Sequence, residues 1–564
     1  MPSLHVRWLG TVPYGEALDL QRSLHGGSPI DHLLLLEHPH VYTLGVRADT
    51  ANILVPPHEV GAELVRADRG GDVTYHGPGQ LVGYPILTLP GKRGGGMADT
   101  VAYVTAVEEL LIETLADLGL PGAGRLDHYP GVWLDPDGDR PRKIAAIGVR
   151  LTRGRTMHGF ALNVDPDLGM FGNIVPCGIP DKPVTSLVAE GVDVELRDVV
   201  DAISARAGET WGGGVIERHD VVWRTSAADL SPFSRGQGSG EPVRPERGGR
   251  ADTGGNVRLV GRLAQAGVTE GLQISTRKPD WLRVKADMGP EYLQLKRVMR
   301  DLDLRTVCEE ASCPNIFECW ADGTATFMIN GERCTRACGF CDVDTRKPEP
   351  LDTDEPARVA DAVDRMGLAH AVVTAVARDD LPDGGARAFA DTIEAIRLRT
   401  PATKVEVLIP DFKGDADQLG IVLDARPDVL NHNVETVPRL QRAVRPSAGY
   451  ARSLTVLARA KAAGLTTKTS IIVGMGETDD EIVATLHDLR GVSCDIVTIG
   501  QYLRPTTNHL PVHRWVEPET FEQYRAIGMD DLGIPHVESS PLTRSSYHAR
   551  EAAERAQPVR SAMG

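Results

Sequence analysis

Two cysteine triplets in the middle of the chain constrain its structure more than any other feature. They hold six of the eight cysteines among 564 residues, in the segments CEEASCPNIFEC and CTRACGFC. The N-terminal sequence has neither the basic nor the apolar region of an export signal, so we expect these thiols to lie in a reducing compartment. Thiols this dense in such a compartment are typical of metal ligands rather than disulfides.

The spacing of the triplets limits the kind of metal site. Structural zinc sites usually combine paired Cys-x2-Cys knuckles into four protein ligands, and neither triplet is built in that way. A ferredoxin-type run would place a fourth cysteine close by, followed by proline, and that residue is also missing. Each triplet supplies three thiolates, which suits a cubic four-iron cluster with one iron left open. A zinc ribbon or a purely structural cluster is the alternative.

The composition narrows the range of partners. A hydrophobic fraction of 41% is typical of a globular protein. A length of 564 residues leaves room for roughly two to four domains. A formal net charge of −17 argues against nucleic acid as the main partner. The strongest apolar run, Leu33 to Leu36, is far too short to cross a bilayer. We therefore predict a cytoplasmic protein that does not associate with membranes.

Composition also divides the chain into three regions. Residues 1–225 and 257–564 show apolar periodicity, whereas residues 226–256 are rich in glycine, proline, serine and arginine and have almost no apolar side chains. We predict two different α/β domains joined by a flexible linker. As a random coil of about thirty residues, the linker would average on the order of 30 Å from end to end.

The first region is predicted to be a mixed α/β domain. HLLLLEHP (32–39) has the apolar run of a buried strand, and Val104 to Leu118 has the periodicity of an amphipathic helix. Between them, RGGDVTYHGPGQLVGYP (69–85) has glycines that allow sharp turns and a close approach of the backbone to a ligand. Taken alone, this segment fits a plain hairpin with His76 bound to the backbone equally well.

Two later segments favour a catalytic site. RKIAAIGVR (142–150) places Lys143 at the start of an apolar strand, where an inward lysine is costly unless it has a function. FGNIVPCGIPDKPVTSL (171–187) places Cys177 in a loop, between proline and glycine. A lone cysteine is more often an inert core residue. A loop cysteine beside an ammonium group is a candidate acyl-accepting thiolate.

These segments, together with HGFALNV (158–164), resemble the lipoate-protein ligase B family of octanoyl-[acyl-carrier protein]:protein octanoyltransferases over nearly all of residues 1–224. The resemblance implies a lipoate/biotin-protein-ligase-like fold in which Cys177 carries the octanoyl group as a thioester and Lys143 tunes the thiolate. It also implies a channel for the acyl chain and the acceptor lysine, lined by Arg69, Gly70, Gly71, Asp72, Val73, Thr74, Tyr75, His76, Ala146, Ile147, Gly148, His158, Gly159 and Phe160.

An ATP-dependent lipoate or biotin ligase on the same fold is the rival interpretation of the first domain. Such ligases also keep a lysine on a strand. They activate the acid as an adenylate, however, and do not need a cysteine at position 177. Cys177 is therefore the residue that discriminates between the two interpretations.

The second region alternates apolar strands with amphipathic helices. Its strand candidates are residues 324–329, 370–376, 405–409, 428–433, 469–474, 495–500 and 535–539. This alternation predicts a parallel sheet, here a partial (β/α) barrel. Glycine and polar residues follow the strands, as in RDDLPDGG (378–385) and GMGET (474–478). Because the carboxyl ends of such strands form the mouth of a barrel, we expect the ligand site there.

The second triplet resembles the cluster motif of the radical S-adenosylmethionine (SAM) family, and its ligands are Cys334, Cys338 and Cys341. The first triplet resembles the auxiliary-cluster motif of lipoyl synthase, with the ligands Cys308, Cys313 and Cys319. This second resemblance covers about residues 275–555. It implies two 4Fe-4S clusters, SAM on the open iron of one and Ser546 as the fourth ligand of the other. It also implies that Gly384 and Gly385 approach the methionine part of SAM. An ordinary helix cap is the alternative for Ser546.

Together the resemblances imply a bifunctional enzyme of lipoate biosynthesis. The first domain would move octanoyl from acyl carrier protein to a lysine of a lipoyl carrier domain, such as the E2 subunits of 2-oxoacid dehydrogenases or the glycine cleavage H protein. The second would insert sulfur at the sixth and eighth carbons, using an electron donor such as ferredoxin or flavodoxin. Two alternatives remain: a non-catalytic iron–sulfur or zinc protein fused to an acyl-binding module, and a biotin-synthase-like enzyme acting on a free small molecule.

Overall fold

The computed structural model describes residues 4–91, 98–222, 261–272, 276–282, 297–302, 304–306 and 324–556. The chain divides into two compact units, residues 1–223 and 224–564. The segment predicted as a linker, residues 226–256, lies outside the described residues. No helix within the described ranges is both long enough and apolar enough to cross a membrane.

The first unit is built on an eight-stranded mixed sheet with the order β11-β1-β2-β6-β10-β9-β8-β7. A smaller sheet, β4-β3-β5, stands beside it. The strands are β1 Leu4–Thr11, β2 His32–Glu37, β3 Val41–Leu44, β4 Glu63–Arg66, β5 Val73–His76, β6 Gln80–Ile86, β7 Ala123–Leu126, β8 Tyr129–Leu134, β9 Arg142–Thr152, β10 Arg155–Asn163 and β11 Ile216–Arg218. The four consecutive leucines of β2 are all buried, which confirms the buried strand predicted there.

Three helices cover this sheet: α1 Tyr14–Gly27, α2 Thr100–Asp117 and α3 Leu196–Trp211. Helix α2 begins at Asp99, whose carboxylate accepts hydrogen bonds from the N–H groups of Val101 and Ala102 at 3.1 and 3.2 Å. Such a cap satisfies amide groups that have no partner inside the helix. Apolar side chains of α2 and α3 then pack with Leu33 and Leu35 of β2 in one core.

The second unit is built on a sheet whose strands run in sequence order from β12 to β19. They are β12 Arg305–Thr306, β13 Thr324–Ile329, β14 His370–Ala375, β15 Lys404–Leu408, β16 Val429–Asn431, β17 Thr466–Val473, β18 Ile496–Gln501 and β19 His536–Ser539. Every neighbouring pair from β13 to β19 is parallel, and only β12 pairs antiparallel with β13. The parallel sheet of the predicted partial barrel is confirmed.

Helices follow the strands of this sheet. They are α4 Glu355–Met366, α5 Ala386–Arg399, α6 Ala416–Asp424, α7 Gln441–Val444, α8 Tyr450–Ala462, α9 Asp479–Gly491, α10 Pro518–Ala526 and α11 Ala549–Ala556. Helix α9 starts with a capping box, in which Thr478 and Glu481 each accept a hydrogen bond from the other's backbone N–H. Helix α11 packs against β14, β18 and β19, and its alanines share a core with Val429 and Ile496.

An ion pair lies buried within the sheet of the second unit. Lys468 Nζ lies 3.0 and 3.2 Å from the two carboxylate oxygens of Glu406, and both side chains are 0% exposed. His370 Nε2 lies 3.5 Å from the same carboxylate. Burial opposes ionisation of Glu406, but the charges and hydrogen bonds of Lys468 and His370 together outweigh burial and hold the pKa of this carboxyl below its ordinary value. The direction of this shift favours the ionised carboxylate of Glu406 in the core.

We expect Lys468→Met to destabilise the second unit by about 3–5 kcal/mol, because it leaves the carboxylate of Glu406 buried without its cation. Lys404→Met is the matched control, since Lys404 makes an exposed pair with Asp428 at 2.9 Å on the same sheet and is expected to change stability by less than about 1 kcal/mol. Urea unfolding of the anaerobically purified chain measures both. Equal effects of the two substitutions would contradict the expectation.

Candidate active sites

The candidate nucleophile Cys177 lies in a short 3-10 turn, Pro176–Gly178, with the backbone angles φ 58° and ψ 16°. This left-handed conformation is uncommon for a residue with a side chain and persists only where neighbouring structure holds it. The turn places Cys177 Sγ 3.7 Å from Lys143 Nζ. The structure thus brings together the two residues that the sequence singles out in the first domain.

Lys143 is anchored through its backbone and its side chain. Its N–H donates to the Pro183 carbonyl at 3.0 Å, and its own carbonyl accepts the N–H of Thr185 at 2.9 Å. Lys143 Nζ lies 4.7 Å from the centre of the Trp133 ring, a favourable cation–π arrangement. Only 7% of Lys143 is exposed. The ammonium group is therefore shielded from water. Its attraction for a negative charge on sulfur is stronger in such a shielded place than in water.

Cys177 and Lys143 lie on the wall of a cavity. Its other lining residues are Thr74, Gln80, Ala146, Ala161, Asn163, Phe171, Pro176 and Val184. The wall is mostly apolar, with a few polar groups. Among the residues predicted to line a channel, Thr74 and Ala146 belong to this wall.

Gln80 and Asn163 were not predicted as lining residues. They sit opposite each other on the paired strands β6 and β10, and Gln80 Nε2 donates to Asn163 Oδ1 at 2.9 Å. Both lie in motifs that the sequence analysis singled out. The sequence did contain a signal for them, since each is an amide side chain in an otherwise apolar strand. A buried amide nearly always has a hydrogen-bond partner, so two such strands would be expected to bring their amides together.

The predicted channel residues of the segment 69–76 mostly build the structure around the cavity. Arg69 is 7% exposed and donates to the carbonyl and hydroxyl oxygens of Thr43 at 2.8 and 2.7 Å. His76 Nδ1 lies 2.8 Å from Gln80 Oε1, and burial lowers the pKa of His76 well below its ordinary value. Val73 and Tyr75 belong to a core cluster. Gly70, Gly71 and Asp72 lie in the turn before β5.

The remaining predicted channel residues lie on the paired strands β9 and β10, where Ile147 is opposite Phe160 and Gly148 is opposite Gly159. Phe160 belongs to the core of the unit. His158 Nε2 lies 2.7 Å from Asp68 Oδ1, and burial lowers the pKa of His158. Contacts of these residues with a substrate stay a prediction.

We expect Lys143→Met to slow acyl transfer by about 10²–10³-fold, because the change removes the ammonium group and keeps the aliphatic stem. Lys182→Met is the matched control. Lys182 pairs with the exposed Asp181 at 3.3 Å and lies 5.3 Å from the Tyr129 ring, so its loss is expected to change the rate less than about twofold. Octanoylation of a carrier domain, followed by intact mass, measures both rates. A Lys143→Met variant as fast as the control would exclude the assigned role.

The second site lies in the loop after β13, at the carboxyl end of the sheet. Cys334, Cys338 and Cys341 are unpaired and partly exposed there. Burial of the sulfur raises the pKa of the Cys338 thiol to about 11 and that of Cys341 to about 12. If these three cysteines ligate a metal as thiolates, as predicted, the site must supply compensating positive charge.

The donor set of this loop fits an iron–sulfur cluster. Thiolates are soft ligands that favour iron–sulfur clusters over hard cations, and each thiolate of a cubic cluster binds a different iron. Among the residues that the structure describes, no group of three or more His, Cys, Asp or Glu side chains converges on a single metal ion. Ligation of a cluster by Cys334, Cys338 and Cys341 stays a prediction that rests on the softness of their sulfur atoms.

Backbone hydrogen bonds hold the loop of the second triplet on both sides. The N–H of Gly339 donates to the Val444 carbonyl at 2.8 Å, and the N–H of Leu510 donates to the Gly339 carbonyl at 2.9 Å. A Cβ added to Gly339 would lie 2.8 Å from the Leu510 side chain. Glycine at this position therefore permits the close packing between the loop and Leu510.

An arginine inside the triplet ties the loop to two neighbouring strands. Arg336 donates to both carboxylate oxygens of Asp379 at 2.9 and 2.8 Å, and its third nitrogen lies 2.6 Å from Asp411 Oδ1. Burial opposes ionisation of Asp411, but the surrounding positive groups, of which Arg336 has the largest effect, together outweigh burial and lower the pKa of Asp411 to about 2. Asp379 and Asp411 follow β14 and β15, so the network spans the predicted barrel mouth.

The second unit closely matches known proteins. The chain is 58% identical over 289 residues to the lipoyl synthase of Rubrobacter xylanophilus, a match that spans 51% of this chain and 89% of that protein. It is also 58% identical over 273 residues to the lipoyl synthase of Mycobacterium avium strain 104, spanning 48% of this chain and 89% of that protein. The chain belongs to the lipoyl synthase family.

Three family models match successive parts of the chain. The lipoyl protein ligase A/B catalytic domain matches residues 13–207, the N-terminal domain of lipoyl synthase residues 265–313, and the radical SAM superfamily residues 328–489. Among solved structures, a bipartite lipoate protein ligase from Thermoplasma acidophilum, described with its E2 lipoyl domain, is 17% identical. The structural match covers 39% of this chain and 88% of the Thermoplasma acidophilum chain, with a TM-score of 0.32.

Both family resemblances seen in the sequence are thereby confirmed. The chain combines a lipoyl ligase or transferase catalytic domain with a radical SAM sulfurtransferase domain, and it is an enzyme of lipoate biosynthesis. Membership of the radical SAM and lipoyl synthase families implies SAM and iron–sulfur clusters as its cofactors.

The two glycines assigned to SAM both adopt left-handed backbone conformations, with φ 63° at Gly384 and φ 84° at Gly385. A Cβ added to either would lie 2.5 Å from a side chain of the protein itself, that of Gln418 or of Asn330. The local structure alone therefore requires glycine at both positions. Their approach to SAM stays a prediction.

Of the four residues predicted to ligate the auxiliary cluster, Ser546 alone lies within the described part of the chain. Ser546 is partly exposed and lies in the turn that precedes α11. Cys308, Cys313 and Cys319 lie outside the described residues. Ligation of one cluster by this triplet and Ser546 therefore stays a prediction.

Proposed function

We propose that the chain builds lipoyl groups in place by two successive reactions. The first unit transfers octanoyl from acyl carrier protein to a lysine of a lipoyl carrier domain. The second unit then inserts one sulfur atom at each of the sixth and eighth carbons of the attached chain. The carrier domains are those of 2-oxoacid dehydrogenase E2 subunits and the glycine cleavage H protein.

The first reaction exchanges one thioester for another before it forms an amide. The Cys177 thiolate attacks the carbonyl carbon of octanoyl-acyl carrier protein, the carbon–sulfur bond to the carrier breaks, and the carrier leaves as a thiolate. The amine of the acceptor lysine then attacks the new thioester. The amide bond forms, Cys177 leaves as a thiolate, and the proton lost by the amine is available to the released carrier. The donor is already activated, so no ATP is consumed.

The separation of 3.7 Å between Cys177 Sγ and Lys143 Nζ, on the wall of one cavity, supports this proposal more than any other observation. An ammonium group at that distance stabilises the thiolate as attacking and as leaving group. An ATP-dependent ligase would have no use for the sulfur. The pairing of these two side chains therefore favours a transferase.

In the second reaction, Cys334, Cys338 and Cys341 would hold the cluster that binds SAM, and Cys308, Cys313, Cys319 and Ser546 would hold a second one that donates sulfur. When bound, the cluster and SAM supply a carbon-centred radical able to take hydrogen from unactivated C–H bonds. The protein's own part is to hold the cysteine loop in place. Arg336 does so through Asp379 and Asp411.

Mass analysis of a carrier domain tests both reactions in one series. The intact chain is incubated with octanoyl-acyl carrier protein and an octanoyl-free carrier domain, without ATP, and then with SAM and a reductant. We expect an octanoyl adduct in the first step and a gain of two sulfur atoms in the second. Failure to form the adduct unless ATP is added would favour the ligase alternative.

We also propose that joining the two units raises the rate of the coupled reaction by keeping the second site near the product of the first. Separated halves are then expected to convert a carrier domain more slowly than the intact chain at low enzyme concentration. Equal rates over a range of enzyme concentrations would refute this benefit.

A further inference from the structure

The turn that carries Cys177 is paired with a segment more than a hundred residues earlier in the sequence. The Asn52 carbonyl accepts the N–H of Val175 at 2.8 Å, and the N–H of Leu54 donates to the Asn173 carbonyl at 2.9 Å. Ile53 and Ile174 form an antiparallel bridge between these contacts. Residues 52–54 and 173–175 thus form a short two-stranded ribbon that ends two residues before Cys177.

The side chain of Asn52 is itself fixed by Asp72. Asn52 Nδ2 donates to Asp72 Oδ2 at 2.8 Å. The other carboxylate oxygen, Asp72 Oδ1, accepts the N–H groups of Val73 at 2.6 Å and Asp49 at 3.2 Å. Each oxygen therefore has its own donors, and Asp72 connects the backbone before β5 to the ribbon.

Asp72 also lies against the other end of the turn. A Cβ added to Gly178 would lie 2.9 Å from Asp72 Oδ2 and 3.6 Å from Asn52 Nδ2. The turn Pro176–Gly178 is therefore held at its start through Val175 and packed at its end against Asp72. Asp72 was predicted to line the substrate channel, but it is not among the residues that line the cavity.

Lys143 is anchored by other elements, namely β9, the segment Pro183–Thr185 and the Trp133 ring. The distance between the sulfur and the ammonium nitrogen therefore depends on two independent supports. Because a left-handed residue does not hold its own conformation, the support on the Cys177 side matters most.

We propose that Asn52 and Asp72 form a positioning pair that holds Cys177 against Lys143 for acyl transfer. The proposal rests on the proposed octanoyltransferase function, since it assigns these residues a part in that reaction. Neither residue touches the reacting atoms, and both act through the backbone of the turn.

Exchanging the two side chains tests the pair. Asn52→Asp alone sets two carboxylates against each other, and Asn52→Ala removes the hydrogen bond without adding charge. Asn52→Asp combined with Asp72→Asn restores one donor and one acceptor. We expect each single Asn52 variant to lower kcat for octanoylation by at least about tenfold, with the KM for octanoyl-acyl carrier protein changed less than about twofold. The exchanged pair is expected to recover to within about threefold of the original chain.

A second readout needs no acyl substrate. The rate of alkylation of Cys177 by iodoacetamide, measured on the peptide by mass spectrometry in the intact chain, is expected to fall in the single variants and to recover in the exchanged pair. Asp99→Ala is the control for destabilisation alone, because it removes the cap of α2 and leaves the turn untouched. Its alkylation rate is expected to stay unchanged.

Three outcomes would overturn the positioning pair: unchanged rates in both Asn52 variants, an exchanged pair as slow as they are, or equal slowing by Asp99→Ala. Failure of the proposed function has a different signature. The original chain would then form no octanoyl adduct, while the alkylation rates still followed the pattern expected for the pair.

Discussion

Replacing Cys177 with alanine will abolish transfer of octanoyl to the carrier domain, with a loss of at least about 10³-fold, because the cavity wall then lacks the thiol that forms the proposed thioester. The same variant will still insert sulfur into a carrier domain that has been octanoylated beforehand, since its second unit is unchanged. Intact mass of the carrier domain after each step measures the two activities separately.

Cys494→Ala is the matched control for this result. Cys494 is also an unpaired cysteine, but it is 1% exposed and lies in the core just before β18. Its loss is expected to leave both activities near those of the original chain. Octanoylation by the Cys177→Ala variant at more than a few per cent of the original rate would mean that the acyl group does not pass through Cys177.

The second large effect is expected from Cys338→Ala. Loss of one of three thiolates will prevent stable binding of the SAM cluster, so that sulfur insertion stops while octanoyl transfer continues. With the two cubic clusters proposed above, each holding four irons, the iron content of the reconstituted chain is expected to fall from about eight to about four atoms. Iron and sulfide analysis under anaerobic conditions checks the cluster without any reliance on activity.

The control again uses Cys494→Ala, which removes a thiol from the same unit and is expected to keep the full iron content. Two results would contradict the assignment for Cys338→Ala: an iron content equal to that of the control, or stoichiometric zinc in place of iron. A parallel loss of octanoyl transfer would show instead that the substitution disturbs both units.

The sequence was sufficient to predict the seven parallel strands of the second unit, β13 to β19, because buried parallel strands leave strong apolar patterns. The strand Thr324–Ile329 has the same bounds in the structure as in the prediction. The proximity of Cys177 and Lys143 was predicted from a resemblance, and spacing alone could not have given it. Residues 34 positions apart meet only through the tertiary fold.

The supports of both sites could not be predicted from the sequence. Asn52 and Asp72 have no local pattern that marks them as partners, and polar residues in loops are common for other reasons. The same holds for Arg336, since any of many acidic residues could have neutralised it. Which carboxylate meets which cation depends on the register of strands, and here Asp379 and Asp411 follow β14 and β15.

The short strand β11 affects where the chain can be divided if the first unit is to be expressed on its own. It runs parallel to β1, and just beyond it the N–H groups of His219 and Val221 donate to the carbonyls of Val6 and Trp8. Strand β11, His219 and Val221 all lie past residue 207, where the match to the lipoyl protein ligase A/B family ends. A fragment trimmed to that boundary would bare one side of β1 and invite sheet-to-sheet aggregation. An excised transferase should therefore retain the chain through residue 222.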